Sequence, residues 1–511
     1  MEKNYKSIKC IGFDNDKYAK AQEKAILKRI KKFKGKLYLE FGGKLFDDYH
    51  FARCVPGFNP RVKLKILKRI KNKLEVIICV SAEAIEKGKI RGDYGITYET
   101  NILKIIDELD KENIEICAVV ITKYDMYPSA KRLKDKLKRQ NIKVYTHKSI
   151  SEYPNNIDLI VSDKGYGKNP YIKTSKPLVV VTAPGGSSGK LATCLSQIYH
   201  EYKRGKNSGY AKFETIPVWN LPLKHAVNVA YEASTADIQD INMIDPFHLE
   251  AYQKEAINYN RDIEAFPILK RILDKIMKNG CPYKSPTEMG VNEVRKGIIN
   301  EDCVIKASKE EIIRRYFRYE CEYVKGSTSK KTLERMRELM LEADVSPEDR
   351  KVVLPARRAA KEAVEKGKGH KGIFCGGAIE LDNGKIVTGK NSPIMHASSS
   401  LILNAIKVLA NIPDEIDLLS LIIIKSIERF KRDILNSESL SLNLTETLIA
   451  LSISVTTNPT AKLAMEKLKE LGNCEMHLTH IPTPGDEAGL KKLGVNLTCD
   501  PVFSSKNLYE D

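Results

Sequence analysis

The stretch Lys176-Pro-Leu-Val-Val-Val-Thr-Ala-Pro-Gly-Gly-Ser-Ser-Gly-Lys-Leu-Ala-Thr-Cys-Leu-Ser-Gln-Ile-Tyr199 decides how this 511-residue chain is read. Its apolar run, residues 178–182, shows no polar alternation, as expected of a strand covered on both faces. A glycine-rich loop follows, and helical spacing begins at Lys190. Strand, glycine loop and helix in that order form the context a phosphate-binding loop requires. Gly185, Gly186 and Gly189 let backbone N–H groups approach oxygen atoms with no Cβ in the way. Ser187 and Ser188 add hydroxyl donors, the helix start adds partial positive charge, and Lys190 can reach a terminal phosphate.

Outward from this loop, strand-like runs at 8–13, 37–41, 74–80, 116–122, 142–145, 157–162 and 213–219 alternate with Lys/Glu-rich helical stretches. The pattern predicts an α/β domain over residues 1–245, Rossmann-like or P-loop-like, with a mainly parallel sheet. Helical periodicity dominates 246–345, at 249–257, 266–277, 309–323 and 332–343. A polar break stands at 325–331, and Ser346 fits a helix N-cap. A second, smaller α/β domain is expected over 346–511, with strands at 372–381, 421–427 and 475–479 and helices at 398–409, 445–455 and 460–471.

With 42% hydrophobic and 30% charged residues, the chain is rich enough in apolar side chains for two or three cores, so disorder is not the default reading. No apolar run approaches the roughly 18 residues needed to span a bilayer, and the first ten residues lack a signal-like apolar segment. A soluble, cytoplasmic protein with no membrane partner is expected. Eleven scattered cysteines, odd in number and without a C-x-x-C pair, predict reduced thiols rather than a disulfide framework. The 85 Lys plus Arg against 66 Asp plus Glu leave a formal charge of +19. That surplus is spread along the chain, and its densest stretch, residues 61–73, reads as a solvated helix face. It favours a small anionic partner over nucleic acid, and a homo-oligomer is compatible with it.

The glycine loop departs from G-x-x-x-x-G-K-[ST] at two places. Pro184 stands where the first Gly belongs, and Leu191 where a hydroxyl would hold magnesium. Thr193 lies too far along the helix to replace it. ATP or another phosphorylated ligand fits the loop; a magnesium ion would need a carboxylate from elsewhere, Asp163 or Asp245. The same residues spell G-x-S-x-G, which offers a less favoured serine-hydrolase reading. In it Ser187 is the nucleophile, His225 or His248 the base and Asp237 or Asp240 the orienter. Three other Gly-Lys loops, at 42–44, 165–168 and 389–390, read as turns, the second being the best placed to bind. Residues 210–225, 242–248 and 258–262 are rich in Trp, Asn, His and Asp. They read equally as an acceptor pocket and as polar turns, and within them Asp245 and His248 join Lys190 as catalytic candidates. Cys474, His477 and His480 at spacings of three point to opposite faces of a strand, which argues against a metal site. H-E-x-x-H and the zinc-deaminase signature are absent.

Leu39-Glu-Phe-Gly-Gly-Lys44, Arg91-Gly-Asp-Tyr-Gly-Ile-Thr97, Gly165-Tyr-Gly-Lys-Asn169, the glycine loop through Gln197, Trp219-Asn-Leu-Pro-Leu-Lys-His225, Met243-Ile-Asp-Pro-Phe-His-Leu-Glu-Ala251, Ser285-Pro-Thr-Glu-Met-Gly290 and Thr388-Gly-Lys-Asn-Ser392 resemble a large uncharacterised bacterial family. Its members have about 500 residues and a two-part domain of unknown function. The resemblance covers nearly the whole chain. It implies a nucleotide-binding-like α/β unit with a helical insert and a C-terminal three-layer α/β/α part. Some members are labelled ATP-dependent peptidases, a label that no motif of this sequence supports. The functional expectation is a phosphotransferase or NTPase acting at residues 185–190; the alternative is a non-catalytic module that senses a nucleotide or phosphometabolite.

Overall fold

The computed structural model describes residues 10–33, 35–91, 95–125 and 127–504. The chain divides into two units: Cys10–Glu232 with Asp240–Ser308, and a second containing Ala233–Gln239 and Lys309 onward.

The first unit is built on seven strands: β1 (Lys36–Phe41), β2 (Leu74–Ser81), β3 (Ile116–Thr122), β4 (Val144–Thr146), β5 (Leu178–Thr182), β6 (Ser208–Phe213) and β7 (Gly290–Val291). Their order across the sheet is β7-β6-β1-β5-β2-β3-β4, and every pairing is parallel. Burial explains the composition: all residues of β2 and β5 are buried, so these strands read as continuous apolar runs. The exception, Glu75 on β2, earns its place by accepting hydrogen bonds from the Ser175 and Lys176 N–H groups at 2.6 and 2.7 Å, holding the chain where it enters β5.

Three strand expectations fail in this unit. Residues 157–162 begin with a one-turn helix, Ile157–Ile160, because the Asn156 side chain caps it through the Leu159 N–H. The strand expected at 213–219 lies earlier, at Ser208–Phe213, where Gly209 makes room for the Phe33 ring. Of residues 8–13, positions 8 and 9 lie outside the described residues, and Phe13 makes only an isolated bridge to Ile298. That bridge and the bond from Asp14 N–H to the Gly297 carbonyl bring Cys10 beside Cys303, and the two are joined as a disulfide. The expectation of eleven reduced thiols is therefore corrected at this pair. The helix Val62–Arg69 also departs from a purely solvated face. Lys63 is wholly buried, with its ammonium bonded to Asp48 and to the Lys44 carbonyl, both at 2.9 Å.

The second unit carries β8 (Gly376–Glu380), β9 (Ile386–Lys390), β10 (Glu475–Leu478) and β11 (Asn496–Cys499) in the order β9-β8-β10-β11, antiparallel except for β10 with β11. Two adjacent glycines of β8 reveal its layers. A Cβ on Gly376 would strike the backbone of Ala356 and Ala360 in helix Val353–Glu365, and one on Gly377 would meet Leu401 in helix Ala397–Ala410. Neighbouring strand residues face opposite ways, so helices cover both faces and the unit has three α/β/α layers. The strand expected at 421–427 is instead the start of helix Leu421–Asp433, capped by Ser420. Among the described residues no helix is long and apolar enough to cross a membrane.

Candidate functional site

The strand order creates the site. The chain leaves β1 toward β2, passing over the lane of β5, whereas it leaves β5 toward β6, passing over the lane of β1. Right-handed crossovers in opposite directions lie on opposite faces, so the two exit loops part at the carboxyl ends of adjacent strands, the position at which ligand crevices form in open α/β sheets. One exit loop is residues 42–48, which contains Gly42-Gly-Lys44; the other is residues 183–189, which feeds helix Lys190–Lys203.

The glycine loop is held closely where it meets the protein and open where it does not. A Cβ on Gly185 would sit 2.1 Å from the Tyr98 hydroxyl oxygen, whereas one on Gly186 would meet nothing within 4 Å. Gly189 has φ +78°, and its Cβ position is 2.8 Å from Thr122 Cγ2, so this turn needs glycine. Thr122 donates to the Ser188 carbonyl (2.9 Å), and the buried Ser188 hydroxyl donates to the Gly185 carbonyl (2.8 Å). Ser187 is exposed with φ +55°. No side chain caps the helix at Gly189. Leu191 and Thr193 supply no hydroxyl at the loop, since Thr193 is buried and takes a bond from Cys79 Sγ (3.5 Å).

Lys190 turns inward to within 4.0 Å of Glu40 near the end of β1. Register sets Glu40 opposite Lys212 of β6, and the Tyr210 hydroxyl donates to Glu40 (2.9 Å). The Lys212 ammonium is bonded to Asp262 and the Tyr259 hydroxyl and lies 3.0 Å from Glu214. Lys190, Glu40, Lys212 and Glu214 keep only 12–16% of their side-chain surface exposed. Burial pushes Glu214 up to about 7, with Lys212 opposing and Asp262 and Glu40 reinforcing the rise. Burial would lower Lys212, but Asp262, Tyr259 and Glu214 hold it well above the usual ammonium range. A carboxyl poised near neutrality beside a fixed ammonium can take or give a proton at physiological pH.

Sequence reading assigns no site role to Glu40, and it includes Lys212, Glu214, Tyr259 and Asp262 only as parts of the polar segments 210–225 and 258–262, without singling any of them out. For Glu40, Lys212 and Glu214 the individual signal is a charged residue at the carboxyl end of an otherwise apolar run, as in Leu39-Glu-Phe41 and Ala211-Lys-Phe-Glu214.

Asp245 and His248 lie in a neighbouring polar cluster. Asp245 is fully buried and caps helix Pro246–Tyr252 through the Phe247 and His248 N–H groups, while its other oxygen accepts from Thr287 N–H and Oγ1. These four bonds fix both carboxylate oxygens in place. His248 Nδ1 is 3.0 Å from Ser285 Oγ, and burial lowers its pKa although Asp245 and Glu288 oppose. Asn258 links the cluster to the site: its amide donates to Thr287 (3.3 Å), and it is followed by Tyr259.

The serine-hydrolase partners are engaged elsewhere. His225 faces Glu301 (3.4 Å), Asp237 accepts from the Tyr319 hydroxyl (3.0 Å), and Asp240 holds Arg261 (2.9 Å). Asp163 is bound by the Tyr199 hydroxyl and Lys203. Gly165 packs where a Cβ would strike the Leu159 carbonyl, and Gly389 lies against Leu401, so both are packing glycines. His477 is buried against the Phe317 ring, with Thr498 on Nδ1. Among the described residues no group of three or more His, Cys, Asp or Glu side chains converges as a metal site.

A parallel α/β unit with a glycine loop at its topological switch, joined to a three-layer α/β/α unit, defines the class. The chain belongs to the family described as "Domain of unknown function DUF1846", its N-terminal part matching residues 11–344 and its C-terminal part residues 348–509. It is similar to a UPF0371 protein of Clostridium tetani (strain Massachusetts / E88), 53% identical over 499 residues, covering 98% of this chain and 99% of the relative. A UPF0371 protein of Clostridium botulinum (strain Langeland / NCTC 10281 / Type F) is 52% identical over 500 residues, with the same coverage. Of the motif Arg91 to Thr97, residues 92–94 lie outside those described.

Proposed function

We propose that the protein binds a small phosphorylated ligand, ATP or a phosphorylated metabolite, in the crevice between the ends of β1 and β5, and catalyses phosphoryl transfer or hydrolysis there. The observation that carries this reading is the meeting of the 185–190 loop with the Glu40–Lys212–Glu214–Asp262 cluster through the approach of Lys190 to Glu40. In it the loop N–H groups and the uncapped helix start take phosphate oxygens, and Lys190 leaves Glu40 for the terminal phosphate. Glu214 accepts the proton of the attacking hydroxyl or water, and Lys212 fixes its position.

Titration calorimetry with ATP, ADP, AMP, a sugar phosphate and inorganic phosphate tests the reading. At least one should bind saturably, and Lys190→Ala should weaken it about tenfold or more, roughly 1.4 kcal/mol, with an unchanged circular dichroism spectrum. No binding by any of them, or equal binding by the variant, refutes it.

One observation favours a second reading, a sensor that binds without turnover: the position after Lys190, where a P-loop places its magnesium-holding hydroxyl, is Leu191, and Thr193 is buried. Release of ADP or phosphate supports the enzyme; saturable binding with no product supports the sensor.

A further inference from the structure

Cys321 lies in the last turn of helix Glu301–Val324, and Cys499 ends β11, the edge strand that pairs with β10. The two cysteines are 178 positions apart in sequence, yet their sulfur atoms are 3.5 Å apart, and Cys321 Sγ is also 3.4 Å from the Cys499 carbonyl. Cys321 is buried and Cys499 partly exposed, so the pair has one face toward solvent. A bonded pair needs about 2.05 Å between sulfurs, so the thiols must approach by about 1.5 Å.

We propose that Cys321 and Cys499 are a thiol pair that a hydroperoxide oxidises to a disulfide, fastening the edge strand to the end of the helix. The Cys321 thiolate attacks the peroxide oxygen, giving a sulfenic acid and releasing hydroxide, which the proton from that thiol neutralises. The Cys499 thiol then attacks the Cys321 sulfur, the S–S bond forms, and the sulfenic oxygen leaves as water. Two thiols and one hydrogen peroxide thus give one disulfide and two waters, with two electrons passing from sulfur to the O–O bond.

The two thiols titrate in opposite directions: the hydrogen bond with Cys321 and burial hold Cys499 well above the ordinary thiol range, so Cys321 is the sulfur that ionises and attacks first. The Cys499 thiol beside it holds Cys321 below the ordinary thiol range, burial opposes, and Lys325 one helical turn on reinforces the drop. Other partly exposed thiols are poor nucleophiles: burial pushes Cys117 up to about 12 and Cys281 up to about 11. Cys79 is buried and its thiol is bonded to Thr193. The residue after Cys499 is itself anchored, since Asp500 holds Arg357 at 2.8 Å and faces His477 at 3.4 Å, so a bond at Cys499 acts on a fixed strand end.

The test treats the full-length protein with hydrogen peroxide, blocks remaining thiols with iodoacetamide and maps peptides without reduction. The expected result is a dithiothreitol-reversible peptide linking Cys321 to Cys499, formed before Cys79 or Cys194 is modified. In Cys499→Ser, dimedone should trap the sulfenic acid on Cys321. Recovery of both cysteines alkylated as free thiols, or of Cys321 linked to a different cysteine, overturns the proposal. The wild-type map needs no variant, so the outcome is independent of how well Cys499→Ser folds.

Discussion

Replacing Glu214 by glutamine tests the electrostatics of the candidate site directly. The Glu214 carboxyl titrates at 4.5 in its ordinary state and at about 7 in the folded site, chiefly through burial. That difference corresponds to about 3 kcal/mol between its protonated and charged forms. A carboxyl that binds its proton more tightly when folded contributes stability that is complete below 4.5 and disappears as the pH rises through about 7. Wild-type stability, measured against Glu214→Gln, should therefore be flat below that window and fall by up to about 1.4 kcal/mol per pH unit within it. Above the window it levels off about 3 kcal/mol lower, a shift of about 1 M in urea midpoint. Lys212 keeps Asp262 and Tyr259 in the variant, so its charge stays compensated. The chain has one tryptophan, Trp219, which lies in the same unit and donates through Nε1 to the Asn292 carbonyl. Urea unfolding followed by its fluorescence reports that unit alone. A wild-type-minus-variant difference that does not change between pH 4.5 and 8, or that grows with pH, would refute the reasoning.

Two further substitutions address packing. Gly185→Ala drives a methyl group into the Tyr98 hydroxyl at 2.1 Å and should cost about 1–3 kcal/mol of local stability. Hydrogen exchange at residues 186–191 should accelerate, while Gly186→Ala, made into open space, leaves it unchanged. Arg350→Met removes a buried guanidinium that serves Thr498, Glu475 and the carbonyls of Met476 and Asn496. Stranding those acceptors should destabilise the second unit by about 3–5 kcal/mol, seen as cleavage within residues 346–504 at lower urea in limited proteolysis.

The α/β class was legible because residues 37–41, 74–81, 116–122 and 178–182 are short apolar runs between amphipathic Lys/Glu-rich stretches. Residues 157–162 and 421–427 look the same over six or seven positions, and only the caps at Asn156 and Ser420 distinguish helix from strand. The glycine loop could be read because its chemistry is contiguous. Glu40, Lys212 and Glu214 could not, since strand register, set by pairing across 172 positions, is what puts Glu40 beside Lys212. Lys63 was hidden for the opposite reason: in a lysine-rich helix nothing local separates the one buried ammonium from its solvated neighbours. Asp245 carried a readable signal of its capping bonds, an Asp followed by Pro at the start of a helix.

The lane that β5 fills between β1 and β2 has a consequence for how the chain is born. Residues 178–182 are synthesised after both flanking strands, 137 positions beyond the end of β1, so at about 5–20 residues per second the ribosome needs on the order of 10 s to deliver them. Until then β2 lacks its partner on one edge and β1 lacks both of its partners, since β6 follows later still, and a bare apolar strand edge is of the kind that recruits foreign strands. Glu75 then acts as a latch at the mouth of the lane, taking the N–H groups of Ser175 and Lys176 as the late strand slots in.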